Sequence, residues 1–259
     1  KAVILIKSDA EMKLMREAGR ILADVLQGMH ERIVPGVSTG ELDEWAEKQI
    51  AAAGCQPAFR GQPGMTRGAR PFPAVACISI NEEIIHGIPS RRRVVEDGDI
   101  VSVDCGVIWK GYYADSAFSR IAGKADPDVA RLDETTRRAL YAGIEKARPG
   151  NRLHDISFAV ESWAVSEGLG IVREFCGHGV GRSLHEDPGI PNYGVPGTGP
   201  ILRRGMTLAI EPMFMLGKEK VKILIDGWTV IAADHSPAAH WEHTVLITDD
   251  QPEILTKWR

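Results

Sequence analysis

The sequence predicts one α+β domain composed of two similar halves, with antiparallel strands covered by helices. The chain has 259 residues, 44% of them hydrophobic, which is enough to bury one large core. A weak internal repeat of about 110 residues divides it into ranges of about 8–125 and 126–249, and this period is too long for a solenoid. Each range begins with helical periodicity and continues with short apolar segments, so we expect a single domain over residues 1–259.

The repeat aligns acidic residues of the two halves. PGVSTGELDEWAEKQIAAAG corresponds to PGNRLHDISFAVESWAVSEG, and GDIVSVD then corresponds to GMTLAIE, which aligns Asp104 with Glu211. Asp115 aligns in the same way with Glu242. Because pockets commonly form where two halves face each other, we expect one site between them.

The first half begins with two capped helices. Ser8 opens the capping-box motif SDAE, and apolar residues at spacings of three and four continue this helix to about His30. Ser38 opens a second capping box, and the helix that follows ends at Gly54. Residues 59–73 are rich in Gly, Pro and Arg, which predicts a long loop of the kind that shapes binding sites.

Strands complete the first half. AVACISI (74–80) predicts a strand, NEEIIHGIP a turn out of it, and residues 100–118 a hairpin that places Asp104 and Asp115 inside apolar runs, facing one another. An ionised carboxylate in such a setting costs several kcal/mol unless it is paired or metal-bound. Each aspartate alone is also compatible with a strand end or a turn. Two on one hairpin indicate a divalent cation site.

The second half repeats the order of helices and strands. Asp126 followed by Pro127 begins a third helix that runs to about Arg148, and a fourth spans about His154 to Glu167. A Gly- and Pro-rich loop is predicted at 188–200, and strands are predicted at 171–175, 206–212, 222–230 and 242–248.

Composition excludes several classes of function. A net charge of -4 and a pI near 6.1 give no basic field for nucleic acid, and the cationic run at 91–93 is typical of a solvated turn. No segment approaches the roughly 20 apolar residues of a membrane span. The four cysteines form no CxxC pair, which indicates free thiols. We therefore expect a cytoplasmic protein that binds neither nucleic acid nor membranes.

The acidic residues of both halves, together with a histidine, suggest a metal centre. One imidazole among carboxylates is a mostly hard donor set that suits Mn²⁺, Fe²⁺, Co²⁺ or Zn²⁺. Five ligands suit two ions, and a bridging carboxylate is needed to hold them about 3.5 to 4 Å apart. Singly, His178 between glycines is also compatible with a turn, and Glu211 with an ion pair at a strand end. The candidate set is Asp104, Asp115, His178, Glu211 and Glu242.

Seven motifs then occur in one chain in a fixed order: NEEIIHGIP, VSVDCG, YYADSAFS, CGHGVGRSLHEDP, GMTLAIEPM, DGWTV and EHTVLIT. With them the chain resembles the type I methionine aminopeptidases of bacterial kind, which have the pita-bread fold. The resemblance covers about Ser8 to Thr248. It implies that the protein removes the N-terminal methionine from nascent proteins and peptides when the second residue is small.

The resemblance also implies a role for each site residue. The five candidate ligands would hold two divalent ions, with Asp115 and Glu242 bound to both, and a metal-activated water would attack the first peptide bond. Glu211 would act as general base and acid. His185 would stabilise the oxyanion, and His86 would bond the substrate backbone. The expected partners are N-termini of nascent polypeptides, contact with the ribosome is left open, and we expect a monomer.

The substrate pocket departs from the family pattern in three places. Ala69 and Phe72 stand where the family often has an aromatic residue followed by Tyr, and Leu184 replaces the aromatic that usually precedes HEDP. Cys77 and Trp228 match the family. The pocket therefore stays apolar, with His86, His185, Phe72, Cys77, Leu184 and Trp228 as predicted substrate-binding residues.

Two alternatives share this fold. Proline-specific relatives, the prolidases and Xaa-Pro aminopeptidases, have the same ligands but a large extra N-terminal domain, whereas the first helix here begins at Asp9. Non-catalytic pita-bread binding proteins lose metal ligands, and all five are present here. Both alternatives are therefore less favoured than methionine removal.

Overall fold

The structure is a computed structural model that describes residues 3–258. Four long helices form the outer layer of this part of the chain. Residues 1, 2 and 259 of the predicted domain lie outside this part. Both predicted capping boxes are formed, because the hydroxyls of Ser8 and Ser38 accept backbone N–H groups three residues on. Gly168, with φ of 66°, ends the last helix as predicted. The helices are α1 (Asp9–Arg32), α2 (Thr39–Ala52), α3 (Pro127–Lys146) and α4 (Leu153–Glu167).

Short strands form four antiparallel sheets. The strands are β1 (Gln56–Pro57), β2 (Ala76–Ile80), β3 (Glu83–Ile85), β4 (Ile100–Trp109), β5 (Tyr112–Ile121), β6 (Gly170–Ile171), β7 (Gly177–Gly179), β8 (Glu186–Ile190), β9 (Thr207–Ile210), β10 (Met213–Met215), β11 (Val221–Ile223), β12 (Val230–Ala232), β13 (Ala238–His240), β14 (His243–Leu246) and β15 (Glu253–Ile254). One sheet joins β1, β4 and β2, with β5 on β4, and another runs β15-β14-β9-β7-β8. The remaining sheets are β13-β10-β6 and β11-β12-β3.

The predicted hairpin is β4–β5, and it sets the first two carboxylates. Gly106 pairs with Asp115, and Asp104 pairs with Ala117. Residues two apart on a strand project from the same face, so Asp104 lies on the face of Gly106 and hence of Asp115. The two aspartates therefore face one another across the hairpin, as diagonal neighbours on one face.

Each helix pair packs on strands of its own range. Leu22 and Leu26 of α1 pack against Val103 of β4, within one buried apolar cluster. Leu140 of α3 and Leu208 of β9 belong to a second cluster. Both ranges therefore begin with two helices and continue with strands, and the repeat with its boundaries stays a prediction.

The predicted strand at 222–230 is wrong, because the segment is a hairpin of β11 and β12. The Asp226 carboxylate accepts hydrogen bonds from the backbone N–H groups of Trp228 and Thr229. Gly227 has φ of +77°, a conformation that glycine adopts without strain. The Asp-Gly pair inside this apolar run therefore forms a turn that divides the predicted strand in two.

Other differences come from pairing between distant segments. The turn predicted at NEEIIHGIP contains β3, which pairs with β12 from the far end of the chain. The strand predicted at 171–175 stops at Ile171, and the exposed Arg173 bonds Glu219 instead. Residues 188–190 of the predicted loop extend β8, which pairs with β7. Among the described helices, none combines the length and apolar character needed to cross a membrane.

Candidate metal centre

One cavity of about 330 Å³ brings together every predicted site residue. Its lining combines a polar floor of acids and imidazoles with an apolar wall. The eleven predicted residues in it are Phe72, Cys77, His86, Asp104, Asp115, His178, Leu184, His185, Glu211, Trp228 and Glu242. The expectation of a single site fed by both halves of the chain therefore agrees with the geometry.

Neighbouring strands deliver the acids and the imidazole to this floor. His178 lies in the middle of β7 and pairs with Ala209 of β9, so it is a strand residue and not a turn histidine. Glu211 follows directly after β9. Glu242 forms an isolated bridge with Ala117 of β5, in which its N–H donates to the Ala117 carbonyl at 2.9 Å.

Glycines on both sides of His178 are required by close backbone contacts. A Cβ at Gly177 would lie 2.4 Å from the carbonyl oxygen of Ala209. A Cβ at Gly179 would lie 2.2 Å from the carbonyl oxygen of Asp187. The motif Gly-His-Gly therefore lets β7 fit between its neighbours with the imidazole on the cavity side.

The His178 ring is oriented as a metal ligand. Its Nδ1 lies 2.8 Å from the carbonyl oxygen of Gly179, which only an Nδ1–H can satisfy. The lone pair is therefore on Nε2, which lies 3.7 Å from Asp115 Oδ2 and 3.5 Å from Glu211 Oε1. The ligand atoms of His178, Asp115 and Glu242 all lie within 4.8 Å of one another. Such a group can share one ion.

Buried oxygens without partners support a bound cation. Oδ1 of Asp104, Oδ1 of Asp115 and Oε1 of Glu242 are buried and accept no hydrogen bond from any described residue. Buried acceptors in proteins are normally paired, so these three point to a partner outside the chain. Carboxylates with one imidazole fit a divalent cation, and the residues present therefore fit a metal centre.

The acidic floor resists ionisation while no cation is bound. Burial raises the pKa of Asp104, Glu211 and Glu242 well above the usual range, and the charge of Asp115 adds to the effect. Burial raises the pKa of Asp115 itself to about 7. Burial, with a contribution from His185, lowers the pKa of His178 to about 4. A cation would reverse this balance by favouring carboxylates beside a neutral imidazole.

We expect Mn²⁺ to raise the melting temperature more at pH 8 than at pH 5. Protons compete with the ion as the pH falls through the pKa of Asp115, about 7. Two pH units below that value, competition at this carboxyl alone weakens affinity by about 10²-fold. Calorimetric melting with and without Mn²⁺ at each pH measures the gain.

The melting temperatures with and without Mn²⁺ must be compared at the same pH, because the raised carboxyl pKa values also make the stability of the metal-free protein depend on pH. These groups cost no stability below their unfolded pKa of about 4 and destabilise the fold as the pH rises toward 7. An equal gain from Mn²⁺ at both pH values would contradict protonation of its ligands.

The two predicted non-ligand histidines also line the cavity. The His185 ring centre lies 4.4 Å from that of His178. His86 has φ of 60°, which is uncommon for a residue other than glycine, and its buried Nδ1 has no partner among the described residues. Burial lowers the pKa of His86 to about 4 and also lowers that of His185. Both are therefore neutral imidazoles that can donate one hydrogen bond.

The apolar wall is built around two aromatic rings. Phe72 and Trp228 meet edge to face with centres 5.0 Å apart, and the Trp228 Nε1–H donates to the carbonyl of Arg70 at 2.8 Å. Cys77 and Leu184 complete the same buried cluster. The wall is consequently fixed in place and carries no charged group.

Ala69, one of the departures from the family pattern, packs away from the cavity lining. A Cβ at Gly227 would lie 2.4 Å from the Cβ of Ala69, so this loop and the β11–β12 turn are in close contact. A bulkier residue at 69 would collide with that turn. The departure from the family pattern at Ala69 therefore affects the packing behind the pocket wall and not the lining of the cavity.

Sequence reasoning missed some of the cavity residues. Phe59, Met65 and Phe175 also line the cavity, and none was singled out in the sequence. The most consequential omission is His240, whose Nε2 can share an ion with Glu211 and Glu242. It lies two positions before Glu242 and so on the same face of an extended segment.

The fold and the buried donor set together define a metal-dependent hydrolase. The sequence matches metallopeptidase family M24 over residues 13–249, and the chain belongs to this family. The predicted pita-bread fold and the resemblance to methionine aminopeptidases are thereby confirmed.

Three relatives document the match. A methionine aminopeptidase of Clostridium acetobutylicum is 47% identical over 98% of this chain and 99% of its own length. The crystal structure of the Thermotoga maritima methionine aminopeptidase has a TM-score of 0.94 and 42% identity, and the match covers 98% of this chain and all of that one. The prolidase of Pyrococcus horikoshii, at 24% identity and a TM-score of 0.76, shares the fold, and the match covers 98% of this chain but 64% of the prolidase.

Proposed function

We propose that this protein is a cytoplasmic, monomeric enzyme that removes the N-terminal methionine from nascent proteins and peptides whose second residue is small. The observation that carries the proposal is the single cavity in which a buried set of carboxylates and imidazole adjoins an uncharged wall. The relatives named methionine aminopeptidases, which match over nearly the full length of both chains, support the same activity.

Two divalent ions, chosen from Mn²⁺, Fe²⁺, Co²⁺ and Zn²⁺, belong to this proposal. Asp115 and Glu242 would contact both ions, whereas His178 and Asp104 would each serve one. When bound, such ions activate a water molecule and polarise a carbonyl group. The unpartnered oxygens of Asp104, Asp115 and Glu242 support this assignment.

Glu211 is the proposed proton carrier. It lines the same cavity as the other candidate ligands, with Oε1 3.5 Å from Nε2 of His178, and its carboxylate would take a proton from the attacking water. The same carboxyl group can then deliver that proton to the leaving amine. We assign no proton transfer to the other carboxyl groups of the cavity.

The two neutral histidines would bind the substrate by donation. His185, beside His178, would donate to the oxyanion that develops as the water attacks. His86, on the side of Trp228, would bond the backbone of the peptide. A neutral imidazole supplies one N–H, so each histidine can carry out this role without changing charge.

The apolar wall explains the choice of methionine. The side chain of an N-terminal residue would enter between Phe72, Cys77, Leu184 and Trp228, all of them buried. A flexible thioether fits such an irregular apolar space. A charged side chain would lose its hydration there without gaining a partner.

The prolidase alternative is not favoured. The prolidase neighbour is 24% identical, which supports the fold alone, whereas the relatives that match over nearly the full length of both chains are named methionine aminopeptidases. A non-catalytic binding role is also not favoured, because the relatives are named as aminopeptidases and the candidate ligands are present.

We expect Met-Ala-Ser to be cleaved at least about 10²-fold faster than Lys-Ala-Ser, since burying an unpaired charge costs several kcal/mol. Met-Leu-Ser and Ala-Pro-Ser, which test the second residue and the prolidase alternative, should be poor substrates. Initial rates with Mn²⁺ or Co²⁺ measure all four. Comparable cleavage of the Lys and Met peptides would contradict the assignment of the apolar wall, and preference for Ala-Pro-Ser would overturn the proposed activity.

A further inference from the structure

His240 lies beside the proposed proton carrier and has no role in the function described so far. The residue is 1% exposed, and its Nε2 has no hydrogen-bond partner among the described residues. That nitrogen lies 3.6 Å from Oε2 of Glu211. A buried polar atom without a partner is uncommon and calls for a physical explanation.

The two oxygens of Glu211 face different imidazoles. Oε1 lies 3.5 Å from Nε2 of His178, whose lone pair points to the cavity floor. Oε2 lies 3.6 Å from Nε2 of His240. One oxygen therefore faces the predicted ligand, and the other faces an imidazole on the opposite side.

The backbone holds His240 in place. Its N–H donates to Oγ of Ser119 at 2.9 Å, and the Ser119 hydroxyl donates to its carbonyl oxygen at 3.0 Å. His240 also pairs with Met213 across β13 and β10. Because Glu242 lies two positions on, both side chains are directed to the same face of this extended segment. The backbone from which the imidazole projects toward Glu211 is therefore fixed by main-chain hydrogen bonds.

We propose that His240 is a positioning residue that donates its Nε2–H to Oε2 of Glu211 and so leaves Oε1 directed to the other candidate metal ligands. This inference rests on the proposed function. A carboxylate oxygen only accepts hydrogen bonds, so the contact requires the Nε2–H tautomer. The separation exceeds a normal hydrogen bond by a few tenths of an ångström, which small side-chain rotations can close.

The hydrogen bond would fix the carboxylate plane of Glu211. Carboxylates that bind metals are commonly oriented by a further hydrogen bond, and removal of that partner typically costs 10- to 100-fold in activity or metal affinity. With His240 bonded to Oε2, Glu211 would direct Oε1 to the other candidate metal ligands in every turnover. The expected loss on removal is therefore in kcat.

The test compares a variant that keeps a donor within reach of Glu211 with two that do not. His240→Gln retains an amide N–H at similar reach, His240→Leu has similar size without a donor, and His240→Asn is polar but too short. His235→Asn is the matched control, since His235 is exposed and has φ of 60°, which asparagine tolerates. The measurements are kcat and KM on Met-Ala-Ser, Co²⁺ affinity and the visible spectrum of the Co²⁺-loaded protein.

We expect His240→Leu and His240→Asn to lower kcat about 10-fold or more, with KM changed less than about twofold. His240→Gln should stay within about threefold of wild type, and the Co²⁺ spectrum and ion content should be the same in all of them. If His240→Leu does not fold, the contrast between Gln and Asn decides.

Three results would overturn the inference. Equal activity of all His240 variants would show that the residue only fills space. An altered Co²⁺ spectrum with fewer bound ions, in the Gln variant as well, would make His240 a metal ligand with Glu211 and Glu242. A wild-type protein that fails to cleave Met-Ala-Ser with any tested ion would overturn the proposed function and this inference with it, whereas the first two results leave the proposed function standing.

Discussion

Exhaustive chelation should reduce turnover of Met-Ala-Ser to the uncatalysed background, and Mn²⁺, Co²⁺ or Fe²⁺ should restore it. The described residues that line the cavity include no Ser, Thr or Tyr, and burial raises the pKa of both thiols there, Cys77 and Cys176, above the ordinary value, so no hydroxyl or thiolate nucleophile is available. Without a cation, burial raises the pKa of Asp104, Glu211 and Glu242, so these groups ionise less readily than ordinary carboxyl groups. Activation of water would then lack a Lewis acid.

The chelation experiment needs proof that the metal-free protein is still folded. The two largest apolar clusters lie under the helices and do not include the five candidate ligands, so helical circular dichroism should persist after chelation. Protein taken through the same dialysis without chelator is the control. Full turnover by a folded protein with less than a few per cent of an ion per chain would exclude the metal centre.

Local sequence signals were sufficient for the helices and for the acidic residues that the cavity brings together. The capping boxes at Ser8 and Ser38 are satisfied within four residues, so their chemistry is visible in the sequence alone. Asp104 and Asp115 were conspicuous because they interrupt apolar strands, and burial confirms that position for Asp115. Carboxylates in apolar runs thus identify a site before any pairing is known.

Pairing between distant segments was not visible in the sequence. β3 exists because β12, far along the chain, hydrogen-bonds it, and nothing local to Glu83–Ile85 predicts that partner. His240 was missed for a related reason, since its proximity to Glu211 depends on how β13 and β10 come together. The resemblance to the methionine aminopeptidases pointed only to residues of the shared motifs, and His240 is not one of them.

Glutamine in place of Glu211 should separate proton transfer from metal binding. Gln keeps an oxygen that can bind a metal, but its neutral amide cannot accept the proton of water at neutral pH. We expect Glu211→Gln to retain a folded structure and at least one ion, while turnover falls by roughly 10²-fold or more. Added metal should not recover this loss, because affinity is not what limits the variant.

Asp104→Asn is the matched control, since it also converts a buried carboxyl group of the same cavity to an amide. Asp104 has no proposed part in proton transfer, so its loss should appear as weaker metal affinity, with part of the rate recovered at high metal concentration. Ion content by elemental analysis and rate against added Mn²⁺ are measured for both variants. If excess metal rescues Glu211→Gln as fully as Asp104→Asn, Glu211 is only a ligand, and the proton acceptor must be another group of the cavity.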